Sequence, residues 1–164
     1  DERDRVRVTR DRTRPTIRQF EPGDTEAMLA LNERAMRGEG TDPADIPDIG
    51  DLHRVEETYL DSGGEFLVAV AEGEIVAMGG LTVEGDQGEL LRMRVDPDHQ
   101  QEGLGSRLVA RLEEVARERG VTRLVAETAI RQQAATKFYP AHGFEEQSRR
   151  SFEDYELIEF EKRL

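Results

Sequence analysis

The chain contains no cysteine among its 164 residues and only three histidines. Without cysteine, disulfide bonds, thiolate zinc sites and a cysteine nucleophile are excluded, and the redox compartment stays undetermined. The histidines stand at positions 53, 99 and 142, which is not the spacing of metal ligands. We therefore expect no bound metal.

Basic residues are also scarce. The chain has 23 Lys and Arg against 36 Asp and Glu, which gives a net charge of −13. Nucleic-acid binding needs a basic surface, so this balance argues against nucleic acid as a partner. Only Lys137 and Lys162 are lysines. Few lysines among many carboxylates indicate a GC-rich genome, a salt-loaded cytoplasm, or both, and we expect a halophilic source.

Long apolar runs are absent as well. No run approaches the roughly 20 residues of a membrane span, and residues 1–14 alternate acids with arginines, unlike a secretory signal. We therefore expect a cytoplasmic protein without a membrane partner. Residues 1–14 have almost nothing to bury and predict a mobile N-terminal arm. Residues 15–164 fit a single domain of ordinary size.

The first third of the chain predicts a strand and two helices. A short strand begins at Thr16, and Asp24 is placed to cap a helix that ends near Gly38. Residues 38–50 are rich in glycine, proline and aspartate and predict a long loop. A second helix is expected through residues 52–60.

The rest of the chain alternates strand and helix patterns. Three antiparallel strands are expected first, at residues 66–71, 75–83 and 89–95. A long amphipathic helix at 104–120 and a strand at 123–128 follow. A short helix is expected at 131–138, and two final strands lie within 144–162.

Residues 100–106, with the sequence Gln-Gln-Glu-Gly-Leu-Gly-Ser, join the third of these strands to the long helix. Free N–H groups at a helix start attract anions, and glycine lets a ligand approach the main chain. The same glycines also fit an ordinary turn. A dinucleotide-binding fingerprint needs a third glycine where Leu108 stands, and a nucleotide-hydrolase loop needs Lys before Ser or Thr. Neither motif is present.

Gln100, Gly103 and Gly105 match the acyl-CoA loop of the GCN5-related N-acetyltransferases (GNAT): Gln or Arg, two residues, Gly, one residue, then Gly or Ala. Two flanking segments resemble the same family. One is the strand at residues 89–97, and the other is residues 138–144, Phe-Tyr-Pro-Ala-His-Gly-Phe, which is similar to Leu-Tyr-x-x-x-Gly-Phe. The resemblance covers roughly residues 65–146.

This resemblance implies a mixed α/β (α+β) fold with a mostly antiparallel sheet of six to seven strands, flanked by about four helices. The sheet splays between the fourth and fifth strands and admits acetyl-CoA as acyl donor. The function implied is an N-acetyltransferase in which an amine attacks the thioester directly, and a homodimer is favoured. The acceptor stays open between a small-molecule amine or peptide and a protein N-terminus or lysine. The alternative is a non-catalytic acyl-CoA sensor.

The family pattern also assigns cofactor-binding residues. A bulge near residues 93–95 would offer backbone groups to the pantetheine arm and the thioester oxygen, while the side chains of Leu91, Met93 and Val95 alternate as the core of a strand. Glu102 departs from the pattern and is expected to point to solvent, and Gln132 replaces a common asparagine. Arg107, Arg131 and Lys137 are candidates for the remaining phosphate. The cofactor-binding set is Met93, Arg94, Val95, Gln100, Gln101, Glu102, Gly103, Leu104, Gly105, Ser106, Gln132, Ala135 and Tyr139.

Two residues are candidates for catalysis. Tyr139 matches the family tyrosine that protonates the departing CoA thiolate, and the alternative is a core aromatic between Phe138 and Phe144. Glu89 resembles a family glutamate that serves as base or amine anchor, and the alternative is a solvated charge at a strand edge. Pro140 should place Tyr139 at a helix kink or terminus.

Overall fold

The computed structural model describes residues 14–40, 49–152 and 155–164. The predicted N-terminal arm, apart from Arg14, and most of the predicted loop at 38–50 lie outside the described residues. The strands are β1 Thr16–Gln19, β2 Glu65–Ala71, β3 Glu74–Glu84, β4 Gln87–Val95, β5 Arg123–Ala129, β6 Glu145–Phe152 and β7 Tyr155–Arg163. The α-helices are α1 Thr25–Gly38, α2 Leu104–Glu118 and α3 Gln133–Ala141.

The strands form one open sheet in the order β1-β2-β3-β4-β5-β7-β6. Every pair is antiparallel except β4 and β5, which run parallel. That parallel pairing extends only from Gln87 to Leu90 on β4, so the two strands separate beyond Leu90. The predicted mixed, splayed sheet with flanking helices is confirmed.

Both faces of the sheet are buried, as the alternation along β2 shows. Phe66 and Val68 pack in a cluster with α1, whereas Leu67 and Ala69 pack in a second cluster with α2. A strand covered on both faces needs apolar side chains at successive positions, which explains the uninterrupted apolar run of β2. The faces are called the α1 face and the α2 face below.

Strand β4 carries a bulge at Arg92 and Met93. The pairing register shifts there, so that both residues stand opposite Gly79 of β3. The φ angle of Arg92 is +57°, in the left-handed region that non-glycine residues rarely adopt. The bulge therefore begins one residue before the predicted position.

The bulge also changes which face each β4 side chain covers. Leu91 packs in the α1-face cluster, whereas Met93 and Val95 pack in the α2-face cluster. All three side chains pack against the core as predicted, but they do not share one face, as the regular alternation of a strand would require. An inserted residue reverses the alternation of a strand, and the sequence pattern alone does not reveal the insertion.

Two other local predictions were wrong. The segment expected as one helix forms a 3₁₀ turn at Gly50–His53 and a π-helical turn at Glu56–Leu60. Together these turns bring Leu52, Val55 and Tyr59 to one buried face. Asp24 precedes α1 but makes no side-chain cap; its carboxylate accepts hydrogen bonds from Arg18 and from a backbone N–H of the preceding turn.

Candidate active site

A cavity of about 430 Å³ lies between the end of β4, the start of α2 and helix α3. It occupies the region where β4 and β5 have separated, and the C-terminal end of α1 closes one side. Its lining consists of Ala35, Met36, Glu39, Met93, Arg94, Val95, His99, Gln100, Gln101, Gly103, Leu104, Gly105, Ser106, Gln132, Ala134, Ala135, Phe138 and Tyr139.

The structure brings together almost all of the predicted catalytic residues and the predicted cofactor-binding set, because all but two of these residues line this cavity. The exceptions are Glu89 and Glu102. Glu102 is exposed, and its Oε2 lies 3.2 Å from Nδ1 of His99, which does line the cavity. The carboxylate of Glu102 is thus directed to a neighbouring side chain at the surface.

The start of α2 presents backbone donors to the cavity. Gly103 adopts a φ of +78°, and a side chain added there would meet no atom within 4 Å, so the main chain is open to a ligand. The N–H groups of Leu104, Gly105 and Ser106 have no acceptor within the helix, because the first turn of a helix leaves its donors unpaired. An added Cβ on Gly105 would lie 3.0 Å from the ring of Phe138. The geometry fits a pyrophosphate.

Ser106 is held by a histidine that sequence reasoning had set aside. The Nδ1 of His142 lies 2.7 Å from the carbonyl oxygen of Phe138, and its Nε2 lies 2.7 Å from the Ser106 hydroxyl. Since a carbonyl only accepts, Nδ1 carries the proton, and in the neutral ring Nε2 accepts from Ser106. The histidine orients the Ser106 side chain at the cavity edge.

Tyr139 lies in the last turn of α3 with only 5% of its surface exposed. The rings of Phe138, Phe144 and Phe160 lie 5.3 to 5.6 Å away. Burial raises the pKa of Tyr139 to about 12, against the opposing effect of the Arg94 charge. The phenol is therefore protonated at neutral pH, and Tyr139 is both a core aromatic and a cavity residue.

Glu89 lies on β4, half-buried and outside the cavity lining. Burial raises its pKa above the ordinary glutamate value, and the nearby charges of Glu127 and Glu159 raise it further. A raised pKa makes this carboxylate a stronger base than an exposed one.

Comparison with known proteins decides the family. A sequence model described as "Acetyltransferase (GNAT) family" matches residues 26–144, which is well over half of the chain. The chain belongs to the acetyltransferase (GNAT) family. This confirms the predicted family and, at the level of the family, an acetyltransferase that uses acetyl-CoA.

Individual relatives agree with this membership. A mycothiol acetyltransferase from Sanguibacter keddieii is 34% identical over 143 residues, a match that covers 79% of this chain and 43% of that protein. The chain therefore spans less than half the length of that relative. A GNAT-family acetyltransferase from Staphylococcus aureus has the same fold, with a TM-score of 0.83, 23% identity and coverage of 92% of this chain and 99% of that one. The PaiA N-acetyltransferase of Thermoplasma acidophilum, solved with coenzyme A, has a TM-score of 0.72, 18% identity, and coverage of 92% and 99%.

In this GNAT-family chain, β4 also places two arginines on the α1 face with different partners. Arg92 donates two hydrogen bonds to the carboxylate of Asp51, at 3.0 and 2.7 Å, and the Tyr59 hydroxyl donates to the same carboxylate at 2.6 Å. Burial alone would raise the pKa of Asp51, but the bonds from Arg92 and Tyr59 outweigh it and lower the pKa.

Arg94, by contrast, is held by neutral acceptors. Its Nε donates to Oδ1 of Asn32 at 3.0 Å, and its Nη1 donates to the carbonyl oxygen of Met93 at 3.0 Å. Burial lowers the pKa of Arg94 to about 10, and the nearby charge of Arg92 adds to that effect. Sequence reasoning had assigned a role only to the backbone of Arg94, and it missed Asn32, which stands 62 positions away.

Helix α3 completes the cavity. Gln132, at its N-cap, accepts a hydrogen bond from the Thr128 hydroxyl at 2.8 Å, which leaves its NH₂ group available. Arg107 donates to the carbonyl oxygen of Pro15 at 2.9 Å, and neither it nor Arg131 or Lys137 lines the cavity. The role of these three cations at a phosphate stays a prediction.

Metal clusters and membrane-spanning helices are both absent from the described part of the chain. No cluster of three or more His, Asp or Glu side chains there could hold a metal ion. No helix within those same ranges has the length and apolar character needed to cross a membrane.

Proposed function

We propose that this protein transfers an acetyl group from acetyl-CoA to an amine, with direct attack of the amine on the thioester. The observation that carries this proposal is one cavity that joins the unpaired amides of α2 to the protonated phenol of Tyr139. Acetyl-CoA supplies the activated acyl group when bound. The fold it shares with PaiA, solved with coenzyme A, supports this assignment.

The start of α2 holds the pyrophosphate in this proposal. The N–H groups of Leu104, Gly105 and Ser106 donate to its oxygens, and the helix dipole adds positive potential. The NH₂ group of Gln132 and the small side chain of Ala135 line the path toward β4. At the bulge, backbone groups of residues 93–95 bind the pantetheine arm and the thioester oxygen.

Tyr139 stabilises the sulfur as the carbon–sulfur bond breaks. Its pKa of about 12 lies well above the roughly 8.5 of an ordinary thiol. Because this phenol is a weaker acid than the thiol, it keeps its proton and donates a hydrogen bond to the developing thiolate, which leaves as the thiolate and takes its proton from solvent. Tyr139 therefore acts as a donor to the leaving group.

Glu89 removes the proton of the acceptor. Alkylammonium groups titrate near pH ~10, so the amine must lose a proton before it attacks. Glu89 does not line the cavity, and in this proposal a water relays the proton from the amine to its carboxylate. The raised pKa of Glu89 suits that role.

The acceptor in this proposal is a small-molecule amine or a peptide, and the alternative class is a protein N-terminus or lysine. A sensor that binds acyl-CoA without turnover is the competing function, and the Tyr139 phenol in the cavity argues against it.

Free-thiol release from acetyl-CoA, measured with a broad panel of amines, polyamines and peptides, tests this proposal. The Tyr139→Phe variant should lower the rate about 10- to 100-fold, because only the hydrogen bond to the leaving sulfur is lost. Tyr59→Phe is the matched control, since it removes a buried hydroxyl outside the cavity lining and should keep the rate. If saturating acetyl-CoA does not raise the melting temperature of the wild-type protein, the cofactor assignment is wrong. An unchanged rate in Tyr139→Phe would refute the donor role.

A further inference from the structure

We propose that the guanidinium group of Arg94 binds a carboxylate of the acyl acceptor, so that the substrate is an amine that also carries an acidic group. This inference rests on the proposed acetyltransferase function and adds to it the chemical class of the acceptor. It uses the side chain of Arg94, whereas the cofactor assignment concerned its backbone.

The guanidinium of Arg94 keeps unused hydrogen-bond donors. Arginine has five N–H groups, and those of Arg94 make two hydrogen bonds, to Asn32 and to the Met93 carbonyl. Among the described residues, no buried side-chain nitrogen lacks a partner. Nη2 makes no hydrogen bond to a described residue, so it is not sealed inside the protein, and since Arg94 lines the cavity, we place Nη2 at that opening.

The positive charge of Arg94 has no carboxylate beside it. Within residues 14–40, 49–152 and 155–164, no Asp or Glu oxygen lies within 4.0 Å of its guanidinium. Arg92 and Arg34 both contrast with it, because each pairs with an aspartate at 2.7 or 2.9 Å. A partly buried, unpaired cation is costly, and an anionic ligand offsets that cost.

Asn32 fixes the direction of this cation without neutralising it. The side chain is 3% exposed on α1, and its Oδ1 accepts from Nε of Arg94. Aspartate would have the same shape and would cancel the charge. With Nε and one N–H of Nη1 occupied, Nη2 and the second N–H of Nη1 remain for a carboxylate, which accepts from the planar guanidinium fork with two oxygens.

The same cavity also offers an anion to the amine. Glu39, at the end of α1, lines the cavity. Among the described residues of the lining, Arg94 is the only Lys or Arg and Glu39 is the only Asp or Glu. An acceptor with one ammonium and one carboxylate group matches this pair of opposite charges. The pyrophosphate does not need Arg94, because in the proposed function it binds the backbone amides at the start of α2.

Binding of matched product-like probes to the CoA-saturated protein tests the proposal. N-acetylglycine, N-acetyl-β-alanine and N-acetyl-L-glutamate are each compared with the corresponding uncharged methylamides by calorimetry and thermal shift. We expect at least one free acid to bind about tenfold or more tightly than its amide, since hydrogen bonds to a charged group are strong.

Two variants assign the preference to Arg94. Arg94→Gln removes the charge, and Asn32→Asp supplies an internal carboxylate while keeping the arginine and the volume. Both should erase the acid-over-amide preference, and both should keep the melting-temperature shift given by acetyl-CoA. Arg111→Gln, on an exposed pair of α2, is the control and should retain the preference.

Each other outcome overturns the inference. Equal binding of every acid and its amide, or no binding of any probe, shows that the cavity does not select a carboxylate. Loss of the acetyl-CoA shift in Arg94→Gln and Asn32→Asp alike assigns Arg94 to the cofactor instead. Failure of the acetyltransferase proposal itself is distinguishable, because the wild-type protein would then show neither an acetyl-CoA shift nor thiol release with any amine.

Discussion

The two faces of the sheet beside β4 are built in different ways. On the α2 face, the donors are backbone amides of consecutive residues at the start of one helix. On the α1 face, the polar groups are side chains such as Asp51, Arg92 and Asn32, which come from separate parts of the chain. Recognition by backbone leaves a local sequence pattern, whereas recognition by dispersed side chains leaves none.

The largest effect is expected on the α2 face from Gly103→Glu. The added carboxylate enters the open space above the loop and repels the pyrophosphate, and the φ of +78° is unfavourable for any side chain. Affinity for acetyl-CoA should fall about 100-fold or more, a loss of about 3 kcal/mol, as measured by calorimetry. Gly73→Glu, with a φ of +80° in an exposed turn, is the control and should bind normally. Equal affinity of wild type and Gly103→Glu would place the pyrophosphate elsewhere.

A substitution at Asp51 should act on stability instead. Asp51→Asn removes the carboxylate to which Arg92 and Tyr59 donate, and because the pair is partly exposed we expect a loss of about 2 kcal/mol in the free energy of unfolding. Urea denaturation measures this loss, and Tyr59→Phe should cost less, since it removes one neutral donor.

The stability contribution of Asp51 should also depend on pH. Its pKa is lowered in the folded state, so the contribution is present above the unfolded value of about 3.9 and is lost as pH falls through the folded pKa. In Asp51→Asn this loss should be absent. Wild-type and variant curves that stay parallel through that range would contradict the role assigned to the pair.

A smaller effect is expected from Glu89→Gln. A base works when deprotonated, so kcat/KM should rise with pH through the pKa of Glu89, which lies above the ordinary glutamate value of about 4.3. The variant should lose that rise and fall about tenfold in kcat/KM at neutral pH. Glu84→Gln, exposed at the end of β3, is the control. A pH profile shared by wild type and Glu89→Gln would remove Glu89 from the mechanism.

The smallest effect concerns salt. With a net charge of −13 the protein repels an anionic cofactor, and salt screens that repulsion over about 10 Å at 0.1 M. The dissociation constant for acetyl-CoA should fall severalfold between about 10 mM and about 300 mM salt. Affinity that weakens steadily over this range would show that local cations dominate binding.

Most of the residues that line the cavity were named from the sequence, but those of its α1 side, Ala35, Met36 and Glu39, were not. The loop at residues 100–106 and the segment at 138–144 were predicted because each is a short local pattern. The partners of the two β4 arginines, which lie outside the lining, were missed as well, since Asn32 stands 62 and Asp51 41 positions from the arginine it contacts. His142 was set aside because its link to Ser106 crosses from α3 to α2.

By itself the sequence determined the family, the strand and helix order from β2 onward, and the glycine loop with its helix start, because apolar periodicity and turn residues act over a few neighbouring positions. Only the tertiary structure decided where β4 bulges, which face each of its side chains covers, and that Arg92 meets an aspartate whereas Arg94 meets an amide. Those outcomes depend on strand register and on contacts between distant segments. The identity of the neighbour, rather than the arginine itself, sets whether its charge is neutralised or left for a ligand.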